Sequence, residues 1–212
     1  RRGPVGIAAA SGSGMQEVMN IIHKLGSGVS HAIGVGGRDL RAEVGGITML
    51  QSIDLLEKDP DTAVIVLISK PPARETAEKI FARVRQCKKP VVAQFINSDS
   101  ALAHEAGAYA SDSFENTARL AIALSKGEVY TPEREENAFV RLLPLAREEA
   151  GKMLESQKYL RGLYCGGSLA EETLTLAYDR LGPIYGNIAF SDEYMLDDPF
   201  HSKGDCMIDI GA

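Results

Sequence analysis

Residues 4–14 read PVGIAAASGSG, an unbroken apolar run that ends in a turn of glycine and other small residues. A run this continuously apolar leaves no solvated face, which is typical of a strand buried inside a parallel sheet. The apolar positions that follow, at Met15, Val18, Met19 and Ile22, recur at the spacing of one helix face. The stretch therefore predicts a strand, a glycine-rich turn and a helix, the first half of a β-α-β unit.

The same alternation of strand and helix continues to about residue 126. Further strands are predicted at residues 29–35, 63–69, 90–96 and 107–110, and the later helices at residues 73–87 and 113–125. The longer runs are again apolar throughout, so we expect neither face of these strands to be solvated. Residues 1–126 therefore predict one α/β domain built on a parallel sheet.

A second, shorter α/β pattern follows a polar segment. Residues 127–157 carry many charged residues around apolar side chains at helical spacing, and they predict a helical connector that Pro144 kinks or divides. Residues 158–212 then predict the start of a second, partial α/β domain. Its strands are predicted at residues 159–165, 187–190 and 205–210.

Composition narrows the classes of partner. The chain has 212 residues, of which 44% are hydrophobic and 25% charged, with a net charge of -6. This charge argues against nucleic acid or an anionic membrane as a partner. Cys87, Cys165 and Cys206 lack the spacing of a zinc or redox site, no carboxylate cluster has metal-ligand spacing, and no run approaches the roughly 20 apolar residues of a membrane span. We therefore expect a cytoplasmic protein with no metal site.

The first glycine-rich turn, Ser11-Gly12-Ser13-Gly14, has the chemistry of an anion site. Glycine lets a ligand approach the backbone, and the unpaired N–H groups of the helix that follows face it. The Gly-Lys-Ser/Thr ending of a P-loop and the G-x-G-x-x-G dinucleotide fingerprint are both absent. The alternative interpretation is a turn of small residues with a serine N-cap.

A second turn places Gly36, Gly37 and Arg38 after a predicted strand. The planar guanidinium of Arg38 suits a phosphate or a carboxylate. The alternative, which we favour from the usual behaviour of surface charges, is that Asp39 or Glu43 pairs with Arg38.

A third turn lies in the second domain. Gly166, Gly167 and Ser168 repeat the design of the first turn, with small residues between a predicted strand and a predicted helix. An anion site and a simple N-cap are again the two interpretations.

Four segments of the first domain together resemble the FdrA family. They are AASGSGMQEV at residues 9–18, IGVGGRDL at residues 33–40, VGGI at residues 44–47 and VLISKPP at residues 66–72. The similarity covers most of residues 4–125, and this region in turn resembles the ligase domain of the succinyl-CoA synthetase α subunit. The resemblance implies a flavodoxin-like fold and a phosphate held at the Ser11–Gly14 turn.

The second domain resembles the carboxyl-terminal ligase domain of the succinyl-CoA synthetase β subunit, through GGSLA at residues 166–170 and MIDIG at residues 207–211. The resemblance implies a single chain that fuses α-like and β-like ligase domains. Such domains are expected to pack with the Ser11 and Gly167 turns beside a shared cleft.

The resemblance also implies two candidate catalytic residues. His104 lies where the family carries its phosphorylated histidine, and Glu17 lies where a glutamate orients that histidine. The chain departs from the family's Gly-His-Ala-Gly-Ala pattern because Glu105 separates His104 from Ala106. The alternative interpretation of His104 is an exposed loop histidine.

The leading function implied by the resemblance is that of an acyl-CoA synthetase, which ligates a carboxylic acid to CoA through acyl phosphate and phosphohistidine intermediates. CoA is the implied cofactor and a small anion the implied substrate. We expect neither an ATP-grasp nucleotide site nor a CoA-binding Rossmann domain within these residues. Because both of these parts are absent, we expect the chain to be inactive alone. The start at Arg1 without a methionine and the end at a strand predict a fragment or an incompletely ordered chain.

Two other functions remain open. Some FdrA-type proteins are subunits of a carbamoyltransferase that acts on oxamate in purine and allantoin catabolism, which requires anion-binding turns but no phosphohistidine. A non-catalytic assembly subunit is the third. All three imply a homo-oligomer or partner subunits.

Overall fold

The computed structural model describes residues 1–96, 100–132 and 135–211. The first domain alternates strand and helix as predicted, and the short α4 is an element that the sequence pattern did not predict. Its elements are β1 (Arg2–Ala9), α1 (Gly12–Lys24), β2 (Val29–Gly34), α2 (Ile47–Lys58), β3 (Val64–Ser69), α3 (Arg74–Val84), β4 (Val91–Phe95), α4 (Ala101–Glu105), β5 (Tyr109–Ala110) and α5 (Phe114–Ser125).

The five strands form one parallel sheet in the order β2-β1-β3-β4-β5. This is the flavodoxin-like order, in which the chain reverses direction across the sheet between β1 and β3. The fold class predicted from the sequence is confirmed. The expectation that no strand has a solvated face is wrong for β2, where His31 and Ala32 are exposed because this strand lies at the edge of the sheet.

Helices cover both faces of the first sheet. One core lies under α2 and α3 and includes Ile53, Leu67 and Phe81. The other lies under α1 and α5 and includes Val18 and Phe114. Burial of both faces explains why the strands read as continuous apolar runs.

The connector and the second domain follow. The elements are α6 (Glu135–Ala150), β6 (Arg161–Tyr164), α7 (Gly167–Leu181), β7 (Tyr185–Gly186), a 3-10 helix (Asp192–Tyr194) and β8 (Cys206–Asp209). Of the two predicted effects of Pro144, a kink or a division of the connector, division is wrong, since α6 runs through this residue without a break. The second sheet is parallel, in the order β6-β8-β7.

The second domain differs from its predicted pattern in one strand. We predicted a strand at residues 187–190, but β7 ends at Gly186. The reason is the side chain of Asn187, whose Nδ2 donates to the Asp209 carbonyl at 2.8 Å while its Oδ1 accepts the Asp209 N–H at 2.9 Å. The asparagine amide thus takes the place of a further step of the backbone ladder.

No helix in residues 1–96, 100–132 and 135–211 is both long enough and apolar enough to span a bilayer.

Candidate functional site

The N-termini of α1 and α7 meet at one point, which we call the junction. The hydroxyl of Ser11, which precedes α1, donates a hydrogen bond to the hydroxyl of Ser168 in the first turn of α7, with 2.6 Å between the oxygens. Ser11 is 4% exposed and Ser168 3%. Leu169 of α7 packs against the core beneath α1. The predicted proximity of the first and third turns is confirmed.

The start of α1 is tightly packed against the residues around it. Ser11 has an extended backbone, and its Oγ accepts the N–H of Gly14 at 3.0 Å, so it is an N-cap. A Cβ on Gly14 would lie 2.7 Å from Ser11 Oγ and 2.8 Å from the ring of Phe114, which leaves no room for a side chain. Among the described residues, no group accepts the backbone N–H of Gly12 or Ser13.

The start of α7 lies directly against this turn. A Cβ on Gly166 would come within 2.8 Å of Ser13 Cβ, so glycine is what allows the two turns to touch. Within the described ranges, the N–H groups of Gly167 and Ser168 likewise have no acceptor. The junction therefore brings together four unpaired N–H groups and the positive ends of two helix dipoles, which together favour an anion.

Charged side chains of both signs border the junction. Lys70 follows β3 and forms an ion pair with Glu171 of α7. Its Nζ lies 3.4 Å from the position that a Cβ on Gly167 would occupy. On the other side, Asp209 is 5% exposed and its Oδ1 accepts the Gly166 N–H at 3.0 Å. Lys70 adds a cation to the site, while Asp209 occupies one donor of the α7 terminus.

The second turn differs from the other two. Asp39 is buried, and its two oxygens accept the N–H groups of Thr48 and Met49 in α2, each at 2.8 Å. The favoured pairing of Arg38 with Asp39 or Glu43 is wrong for Asp39, whose carboxylate caps a helix instead, and no ion pair of Arg38 with Glu43 is found among the described residues. Arg38 is exposed. The N-terminus of α2 is thus already paired with the carboxylate of Asp39.

The exposed glycines of the second turn border a separate cleft. Gly36 and Gly37 are both exposed, and Gly37 lines a cleft of about 480 Å3 together with Arg41, Glu43 and Lys70. The cleft lies beyond the carboxyl ends of β1 and β3, where doubly wound sheets place their ligands. Lys70 belongs both to this cleft and to the border of the junction.

His104 lies elsewhere, on the short helix α4 rather than on the loop that we expected. It is exposed and lines a cavity of about 800 Å3 that Asp112 and Glu172 also line. Glu17 is half-buried on α1 and does not line this cavity; its carboxylate accepts a hydrogen bond from Asn20 at 3.5 Å. The catalytic roles of His104 and Glu17 stay predictions.

Glu172 is the most perturbed acid of the described chain. Its pKa is raised from the usual value of 4.5 to about 7, chiefly by burial and in smaller part by the nearby carboxylates of Asp112 and Glu17. Its Oε1 accepts the N–H of Phe114 at the start of α5, at 2.8 Å, which opposes the rise. The carboxyl group therefore changes its charge near neutral pH.

Sequence reasoning missed both Lys70 and Glu172. Lys70 had a usable signal, because it directly follows a buried strand and so lies at the ligand edge of the sheet. Glu172 had none, since its environment exists only after the second domain has docked on α5. No group of three or more metal-ligating side chains occurs in the described part of the chain.

Comparison with known proteins points to CoA chemistry. Residues 1–96 match the CoA binding domain family. This match counts against the expectation that the chain holds no CoA-binding Rossmann domain. The uncharacterized protein YahF of Escherichia coli strain K12 is 40% identical over 213 residues, covering 100% of this chain and 40% of YahF.

Two further proteins are similar to parts of the chain. The succinate–CoA ligase [ADP-forming] subunit alpha of Aquifex aeolicus is 33% identical over 93 residues, which is 44% of this chain and 29% of the subunit. The dinucleotide-forming acetyl-coenzyme A synthetase 1 of Ca. Korarchaeum cryptofilum shows 16% identity and a TM-score of 0.46 over 84% of this chain and 36% of its own. The chain thus spans 40% or less of the length of these proteins.

Removal of the Asp39 carboxylate should destabilise the fold. Asp39→Ala leaves two N–H groups of α2 without an acceptor, so we expect the free energy of unfolding to fall by about 2 kcal/mol in urea denaturation. Arg38→Ala, at the exposed neighbour, is the control and should change it by less than about 0.5 kcal/mol. Equal effects of the two substitutions would contradict the capping role.

Replacement of Glu172 should change how stability depends on pH. Because folding raises its pKa from 4.5 to about 7, the unfolded chain ionises first, so the wild type loses stability relative to Glu172→Gln as pH rises through this interval. Above about pH 7 the difference should level off. The difference in melting temperature between the wild type and Glu172→Gln, recorded from about pH 4 to pH 8, tests this expectation.

The control for this series is Glu115→Gln, at an exposed position of the same helix start that Glu172 contacts. This variant should follow the wild-type curve. A difference between wild type and Glu172→Gln that does not vary with pH would show that the Glu172 carboxyl titrates normally.

Proposed function

We propose that the protein is a CoA-ligase-like protein whose junction holds the phosphoryl or carboxylate group of a small acyl donor. The observation that carries the proposal is the 2.6 Å hydrogen bond between Ser11 and Ser168, which joins two helix N-termini with their free N–H groups. Two such termini side by side repel each other unless a negative group lies between them. A small anion supplies that group.

The match of residues 1–96 to the CoA binding domain family and the similarity to a succinate–CoA ligase subunit support the choice of acyl donor. An acyl phosphate or a carboxylic acid carries the negative oxygen atoms that the junction favours. A donor bound there would be held at its charged end, with the rest of the molecule free to react.

The cleft beside the second turn fits the phosphate groups of CoA. Arg41 and Lys70 line it, and the exposed Gly37 allows a close approach to the backbone. In this proposal those residues hold the cofactor, and CoA supplies the thiol that accepts the acyl group. Because Lys70 borders both places, the two binding sites adjoin.

The oxamate carbamoyltransferase alternative uses the same junction for carbamoyl phosphate or oxamate. It is favoured by one observation: within the described residues, none of the polar contacts at the junction involves His104. A transfer that passes through a phosphohistidine needs that side chain at the bound phosphate. A transfer from carbamoyl phosphate does not.

Phosphate binding tests the junction. We expect inorganic phosphate to raise the melting temperature of the protein by mass action. Ser168→Ala should weaken phosphate binding about tenfold in calorimetric titration, the size of one hydrogen bond to a charged group. Ser11→Ala should weaken it as much or more, since it also removes the N-cap of α1.

Ser113→Ala is the matched control, because Ser113 caps α5 through the same type of bond, from the N–H of Asn116 at 3.2 Å. This variant should lose stability but keep its phosphate affinity. Phosphate binding that is indifferent to Ser11 and Ser168 would overturn the junction as an anion site. Titration with CoA and with carbamoyl phosphate then separates the two functions, since only the ligase-like protein should bind CoA.

A further inference from the structure

A second ligand site is indicated by the cavity of about 800 Å3 beyond the carboxyl ends of β4 and β5. It lies between α5 and α7, and we call it the β4–β5 cavity. Phe95, Leu120 and Leu176 supply much of its apolar lining. None of these three residues belongs to the proposed anion site at the junction, so the two proposed sites can be tested independently.

The most telling residue of the cavity is Gln94. It lies in β4, whose other residues are apolar, and it is 1% exposed. Its Oε1 has no hydrogen-bond partner within residues 1–96, 100–132 and 135–211, although Gln94 lines the cavity. Buried side-chain oxygen atoms are nearly always hydrogen-bonded in folded proteins, so an unpaired one on a residue that lines a cavity indicates a missing donor.

The charged groups that line the cavity indicate which class of ligand could donate the missing hydrogen bond to Gln94. Its titratable lining groups are His104, Tyr109, Asp112, Tyr130 and Glu172, and among the residues that the structure describes no lysine or arginine lines it. Asp112 is already bonded to Asn116, whose Nδ2 donates to it at 2.8 Å. The carboxylate of Asp112, and that of Glu172 when it is ionised, repel a phosphate or a carboxylate, so the cavity disfavours an anion of the kind that suits the junction.

A cation is also a poor fit. The walls are largely apolar, and a buried ammonium group needs a fully ionised partner. The Asp112 carboxylate is already bonded to Asn116, and the raised pKa of Glu172, about 7, leaves that group only partly ionised at neutral pH. An uncharged group that offers an N–H to Gln94 and an apolar body to Phe95 and Leu176 meets every constraint.

We propose that the β4–β5 cavity binds an uncharged carboxamide, which donates its N–H to the Oε1 of Gln94 and packs its apolar part against Phe95, Leu120 and Leu176. The carboxamide is the chemical class that combines an N–H donor with no net charge. The pocket thereby distinguishes amides from the corresponding acids.

Benzamide and benzoate form a matched pair of probes, equal in shape and different in charge. Benzamide should bind the full chain in saturation-transfer NMR and in calorimetric titration, and benzoate should bind at least tenfold more weakly. Gln94→Leu should reduce benzamide affinity about fivefold, since it removes the acceptor and keeps the side-chain volume.

Because a substitution at the buried Gln94 could disturb folding, a second variant blocks the cavity from its exposed rim. Leu176 is 56% exposed, so Leu176→Trp can fill the cavity from its rim without disturbing the core, and it should abolish benzamide binding. Leu55→Trp, at a position 63% exposed on α2, is the control and should bind like the wild type. Equal binding of benzamide and benzoate, or benzamide binding that survives Leu176→Trp, would overturn the proposal.

Discussion

The contact between the N-termini of α1 and α7 is the constraint on which the arrangement of the two domains depends. The buried hydroxyls of Ser11 and Ser168 form one hydrogen bond there. Glycine at position 166 leaves room for Ser13, so the two helix starts can come close enough to form this bond. Around it, the ion pair of Lys70 with Glu171 and the bond from Phe114 to Glu172 tie the second domain to the first. All three contacts involve the first two turns of α7.

Bringing two helix starts together has an electrostatic cost, because their positive ends repel. The molecule offsets part of it with its own carboxylates, Asp209 at α7 and Glu172 at α5. At the start of α2 a carboxylate of the chain pairs directly with the helix terminus, since the two oxygens of Asp39 accept two of its N–H groups. The start of α1 has a serine in place of a carboxylate, and this difference is the basis of the proposal that an external anion binds at the junction.

Three neighbouring sites follow from the same sheet. The basic cleft lies at β1 and β3, the junction at the start of α1, and the β4–β5 cavity at the far strands. Their charges differ, with cations in the first, backbone donors in the second and carboxyl groups in the third.

The sequence was sufficient for the α/β class, the five strands of the first sheet and the glycine-rich helix starts, because strand and helix periodicity and turn chemistry are local properties. It failed at the edge strand β2, at β7 and at Asp39, where neighbours distant along the chain decide what a residue faces. Ser11 and Ser168 stand 157 positions apart, and only the docking of two folded domains joins them. The raised pKa of Glu172 and the unpaired oxygen of Gln94 likewise come from burial, which depends on how separate elements pack.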